Sequence, residues 1–222
     1  MKYICVLVCA IAVFCSAKDM VVTYEHSADA VNALSAYLKS YSTNAATKEV
    51  KEANEAVKAK IAAVFDFNLF GEASLGKNWA RLTKAEQTLV ASKLRTCIEV
   101  YGYKRASSFF NRVDAMNVIG TVPVGSADLV IQSGSVKAGD SRVPLTAVYK
   151  LEMVGDRRVI TDIWYDIVEA PKENERFIKS ISGSSKWLVA LYRDQFDSIL
   201  RKERLSGLYK RMDSVIAQYS AY

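Results

Sequence analysis

From Arg142 to Val154 the chain alternates apolar and polar side chains with a period of two. Val143, Leu145, Ala147, Tyr149, Leu151 and Met153 fall on one side, and Thr146, Lys150 and Glu152 on the other. That pattern predicts a strand with one buried face. Gly155-Asp156 then leads into a second β-rich run, Arg157 to Val168. A tight turn between two such runs predicts an antiparallel hairpin. Two earlier runs, Val113 to Val122 and Ala127 to Ser133, have the same character and are punctuated by Gly, Pro, Asp and Ser.

Helical patterns flank this meander. Val50, Val57, Ile61 and Val64 recur at helical spacing, with Lys51, Glu55 and Lys58 on other faces. Thr83-Lys84-Ala85-Glu86 is a capping box. It opens a helix whose stripe carries Val90, Leu94, Cys97, Ile98 and Tyr101. After Pro171 an amphipathic helix holds Trp187, Leu188, Leu191, Phe196, Ile199 and Leu200, and Gly207 is expected to interrupt it. Helices, a meander, then helices predict an α+β fold, with helices packed on one curved antiparallel sheet of about four strands enclosing an apolar pocket.

One strand exceeds what a single buried face requires. In the fourth run Ile163, Tyr165 and Ile167 lie on one side, and Ile160, Trp164 and Val168 on the other. Either the Pro171–Gly183 segment covers the second face, or the sheet curls around an apolar interior.

The N-terminus adds a constraint of its own. Met1-Lys2, an uncharged run from Tyr3 to Cys15 and the small pair Ser16-Ala17 make an export signal, with cleavage expected after Ala17. The run has thirteen residues, short of the roughly 20 that span a bilayer. Residues 1–17 are therefore assigned to the signal and 18–222 to a single domain. Removing 17 residues from 222 leaves 205, enough for one real core. Cys5, Cys9 and Cys15 leave with the signal, and Cys97 alone cannot form an internal disulfide. Stability must come from packing. Loss of Lys2 takes the formal charge from +6 to +5, a dispersed excess without the basic runs expected of a nucleic-acid binder.

The residues offer little for catalysis. His26, the single histidine, lies in a polar stretch after the signal, and Cys97 sits on an apolar stripe without a histidine to activate it. Zinc would need several Cys or His ligands, and calcium an acidic loop of alternating oxygen donors. Gly71-Glu72-Ala73-Ser74-Leu75-Gly76-Lys77-Asn78 matches a P-loop except at its last residue. Asn78 lacks the magnesium-binding hydroxyl, and the stretch before it reads as helix. No enzyme, metal or cofactor is expected.

Several motifs carry a family resemblance. They are Phe65-Asp66-Phe67, Leu75-Gly76-Lys77-Asn78-Trp79, the helix from Thr83 to Tyr101 and the strand from Val143 to Leu151. Val159-Ile160-Thr161-Asp162-Ile163 and Tyr192-Arg193-Asp194-Gln195-Phe196 follow in the same order. Together they resemble the MlaC, or toluene-tolerance, family over about residues 28–212. Pro171 to Gly183 departs from the family pattern as an insertion. The resemblance implies a periplasmic phospholipid carrier that shuttles lipid between an inner-membrane ABC transporter complex and an outer-membrane lipoprotein complex, and a monomer is expected. A carrier of another apolar lipid, hopanoid or sterol-like, and a ligand-free interaction module are the alternatives.

Acyl chains are expected between sheet and helices. The expected pocket or pocket-floor residues are Ile61, Val64, Leu94, Ile98, Tyr101, Leu129, Ile131, Tyr149, Leu151, Ile163, Tyr165, Leu188 and Phe196. Arg193 is expected in a structural ion pair. Lys77, Arg81 and Arg105 are candidates for docking on partners or anionic headgroups.

Overall fold

Pairing of the period-two strand with its neighbours organises the computed structural model, which describes residues 23–220. The export signal lies outside the described residues. Four strands form one open antiparallel sheet in the order β1-β2-β3-β4: β1 Val113–Val124, β2 Ala127–Ala138, β3 Ser141–Val154 and β4 Arg157–Asp166. Gly125, Gly139 and Gly155 take positive φ at the three turns, a conformation that costs glycine little. β2 runs five residues beyond the expected Ser133, because Gly134, Ser135 and Val136 continue the ladder with β1.

Five α-helices precede the sheet: α1 Ser27–Ser40, α2 Lys48–Val64, α3 Phe67–Leu75, α4 Lys84–Cys97 and α5 Tyr103–Phe110. Two follow it, α6 Asn174–Ile181 and α7 Leu188–Ser220. The Thr83–Glu86 capping box forms as expected. The P-loop-like stretch lies largely within α3 and a 3-10 turn. A backbone already hydrogen-bonded as helix cannot cradle phosphates. Among the described residues, no helix is long and apolar enough to cross a membrane.

The main core joins α1 to α5 and α7 to one face of the sheet. Ala147, Tyr149 and Leu151 of β3 contribute the sheet side, as their alternation predicts, and Leu145 of the same strand packs in a smaller cluster with Val113 and Val136. The second face carries its own cluster, in which Leu129, Ile131, Val148 and Trp164 pack against Ile178, Ile181 and Trp187. The Pro171–Gly183 segment therefore folds as α6 and its flanks, and it covers the second apolar face. Trp164 stacks edge-on against Phe177 at 5.5 Å and donates its indole N–H to Ser184 Oγ.

Two expectations are corrected. Ile160 and Trp164 do not share a face. Lys150 pairs with Asp162 but Leu151 with Ile160, so Thr161 is an extra residue in β4. This bulge shifts the phase by one residue, and it sends Ile160 into the main core while Trp164 stays under α6. The last helix is broken at Arg204, whose φ of 58° and ψ of −167° are non-helical, and not at Gly207. Gly207 is buried within the helix. A Cβ there would lie 2.2 Å from that of Glu203, so glycine serves close approach at this position. Glu203 and Arg211 form an ion pair across the break.

An apolar cavity between sheet and helices

α4 and α5 are one continuous helix whose ladder widens across Ile98–Gly102 to a π-turn, with Tyr103 N–H bonded to Ile98 C=O. π-turns occur mostly as single-turn insertions, often at functional sites. Here the widened turn puts Ile98, Tyr101, Gly102, Arg105, Ala106 and Phe109 along one wall of a cavity of about 450 Å³. Leu34 and Leu38 of α1, and Ile61 of α2, form a second wall. β3 and β4 supply the floor through Leu145, Ala147, Tyr149, Ile163 and Tyr165, and Leu188 and Tyr192 of α7 close one end.

The Phe65-Asp66-Phe67 motif holds two elements in place. Asp66 Oδ1 accepts the Asn68 and Leu69 N–H groups at 2.9 Å each and so caps α3. Phe65 forms a single parallel bridge with Ile160. The two rings lie 5.0 Å apart and both line the cavity. They also line a second, more open groove of about 580 Å³. That groove mixes Asp66, Asn68, Thr88, Ser92, Arg95 and Arg157 with alanines, the two Phe rings and Val159, a more polar lining than the first cavity and less suited to a hydrocarbon chain.

Of the thirteen expected pocket residues, Ile61, Ile98, Tyr101, Tyr149, Ile163, Tyr165 and Leu188 line the cavity. Val64, Leu94, Leu151 and Phe196 are buried in the main core behind it. Leu129 and Ile131 belong to the cluster on the opposite sheet face, under α6. Register explains this. Val130, not Leu129, pairs with Tyr149 and faces the helices. Sequence reasoning missed Leu34, Leu38, Phe109, Phe110 and Met116 as cavity residues. Leu34 and Leu38, four apart on a helix, carried a legible signal.

Burial pushes the Tyr149 and Tyr103 phenols well above their ordinary range. Burial also pushes the Cys97 thiol up to about 11, helped by Asp213 and opposed by Lys93, and its S–H faces Met212 C=O at 3.5 Å. Arg193 Nε and Nη2 donate to the Ala73 carbonyl at 3.1 and 2.7 Å, near the C-terminal end of α3. Its observed partner is thus a backbone carbonyl where a carboxylate was expected. Lys77 and Arg81 lie in the 3-10 turn after α3 and are exposed, and neither lines the cavity. Among the described residues, no group of three or more Cys, His, Asp or Glu could hold a metal ion.

Fold and cavity together define an α+β domain built around an apolar chamber. The chain belongs to the MlaC protein family, which matches residues 29–170. In three dimensions it is similar to a phospholipid-binding protein from Ralstonia solanacearum solved in complex with a phospholipid. The TM-score is 0.56 at 17% identity, and the match covers 86% of this chain and 95% of the other. No curated protein matches the sequence.

Proposed function

We propose that the chain is a soluble periplasmic carrier that holds phospholipid acyl chains in this cavity. It would move lipid between an inner-membrane ABC transporter complex and an outer-membrane lipoprotein complex. One observation carries the reading. The chamber of about 450 Å³ is lined almost wholly by aliphatic and aromatic side chains, and its size falls among ordinary ligand pockets.

The physics of lipid transfer fits such a chamber. Burying a CH₂ group is worth about 0.8 kcal/mol, so exposing one sixteen-carbon chain to water costs roughly 12 kcal/mol. Spontaneous transfer across water is correspondingly slow, and a preformed apolar interior lowers the cost without any reacting group. Family membership supports the reading, as does the phospholipid held by the Ralstonia protein of similar fold. The export signal read in residues 1–17 supports the periplasmic placement.

Native mass spectrometry of protein purified from its own cells tests this. A mass increment of one or more phospholipids per chain is expected. A sterol-like or hopanoid increment would point to a carrier for another lipid. A bare chain that also takes up nothing from phospholipid vesicles would refute the carrier reading.

A further inference from the structure

The cavity lining contains one charged side chain, Arg105, and no carboxylate. Arg105 is itself exposed while lining the chamber, as is Tyr165, which is 57% exposed, so these two residues mark the opening. The guanidinium lies over the Tyr101 ring, 4.7 Å from its centroid. Tyr101 in turn packs against Tyr219 of α7, with ring centroids 4.6 Å apart. Among the described residues, no ion pair engages Arg105.

A guanidinium that lies over a ring keeps the N–H groups turned away from it available. Those groups match the spacing of two oxygens on a phosphate or carboxylate. We infer that Arg105 is the headgroup ligand of the cavity: it binds the phosphodiester of a glycerophospholipid at the opening while the acyl chains fill the interior. The inference rests on the carrier reading and adds to it a preference for an oxyanion-bearing amphiphile over a neutral one with the same chains. A free fatty acid could present the same oxyanion chemistry, and the test separates the two.

The lipid-stripped chain is titrated with dipalmitoylphosphatidylglycerol, dipalmitoylglycerol and palmitate, each delivered from cyclodextrin. Wild type, Arg105→Gln and Arg105→Lys are compared, and bound lipid is read by native mass spectrometry. Wild type is expected to favour phosphatidylglycerol over dipalmitoylglycerol by about tenfold, the worth of a partly exposed charge-assisted contact. Arg105→Gln should erase that preference by weakening phosphatidylglycerol alone, and Arg105→Lys should restore part of it. Equal weakening of both lipids would show that the side chain acts only by packing on Tyr101, and would overturn the inference. So would a wild type without preference. Tighter, Arg105-dependent binding of palmitate would reassign the site to a fatty-acid carboxylate. Failure of wild type to bind any of the three would instead refute the carrier reading itself.

Discussion

Asp162 of β4 accepts a 2.9 Å hydrogen bond from the backbone N–H of Val189, in the first turn of α7. The same Oδ1 accepts Ile163 N–H at 2.8 Å. The neighbours of both residues, Ile163 and Leu188, line the cavity. One carboxylate on a strand thus caps a helix distant in sequence and fixes two cavity walls relative to each other. Asp162→Ala should lower stability by about 1 kcal/mol, the usual cost of a lost cap, and reduce lipid occupancy. Asp162→Asn keeps an acceptor oxygen and should lose less. Urea unfolding of both variants checks the order.

Asp162 also makes a pH-dependent contribution with a definite sign. Burial raises its pKa, opposed by the Val189 and Ile163 N–H groups and by the charges of Lys150 and Arg193. The folded value lies above the unfolded one, so the contribution is complete below the unfolded pKa and is lost as pH rises through the folded pKa. Stability of Asp162→Asn relative to wild type should therefore improve as pH rises above about 4. A difference that stays constant from acid to neutral pH would contradict this.

Ala147 is the small side chain on the cavity floor, between Leu145 and Tyr149. Ala147→Phe should fill part of the chamber and cut co-purified lipid at least severalfold. Filling an existing void adds packing contacts, so the lipid-stripped variant should melt no lower than lipid-stripped wild type. Lower occupancy with an undiminished melting temperature distinguishes a blocked cavity from a damaged fold.

Ile131 is fully buried on the opposite face, in the cluster under α6. Ile131→Ala should cost about 3 kcal/mol through the void it leaves. Lipid stoichiometry per folded molecule should not change. Altered stoichiometry would mean that this face, too, belongs to the ligand site.

Cys97 should be a poor nucleophile. With its thiol pushed up to about 11, little thiolate is present at pH 8. In a chain lacking residues 1–17, disulfide-exchange reagents should react on the order of tenfold more slowly than with an unperturbed thiol near 8.5, the smaller thiolate fraction outweighing its greater nucleophilicity. The rate should climb with pH. Fast labelling at pH 8 would show that Cys97 is not held as the fold places it.

Local chemistry by itself determined the elements. The alternation through Val143–Met153 and the turn at Gly155 specified a hairpin, because side chains in a strand alternate faces whatever surrounds them. Thr83 and Glu86 specified a helix start, because a capping box is satisfied within four residues. The two-sided apolar character of Ile160 to Val168 left open a second cover or a curled sheet, and packing of α6 on that face decided for the cover. Tertiary pairing decided which apolar residues meet. Thr161 bulges only because β4 must match β3, and that one-residue shift separates Ile160 from Trp164. Pairing of Val130 with Tyr149 turned Leu129 and Ile131 away from the chamber. Nothing local distinguishes an apolar residue that fills a core from one that borders an empty volume. That difference is set by whether the opposite element closes to contact distance, and here α1, the widened α4–α5 helix and the start of α7 stand off from the sheet far enough to leave a cavity.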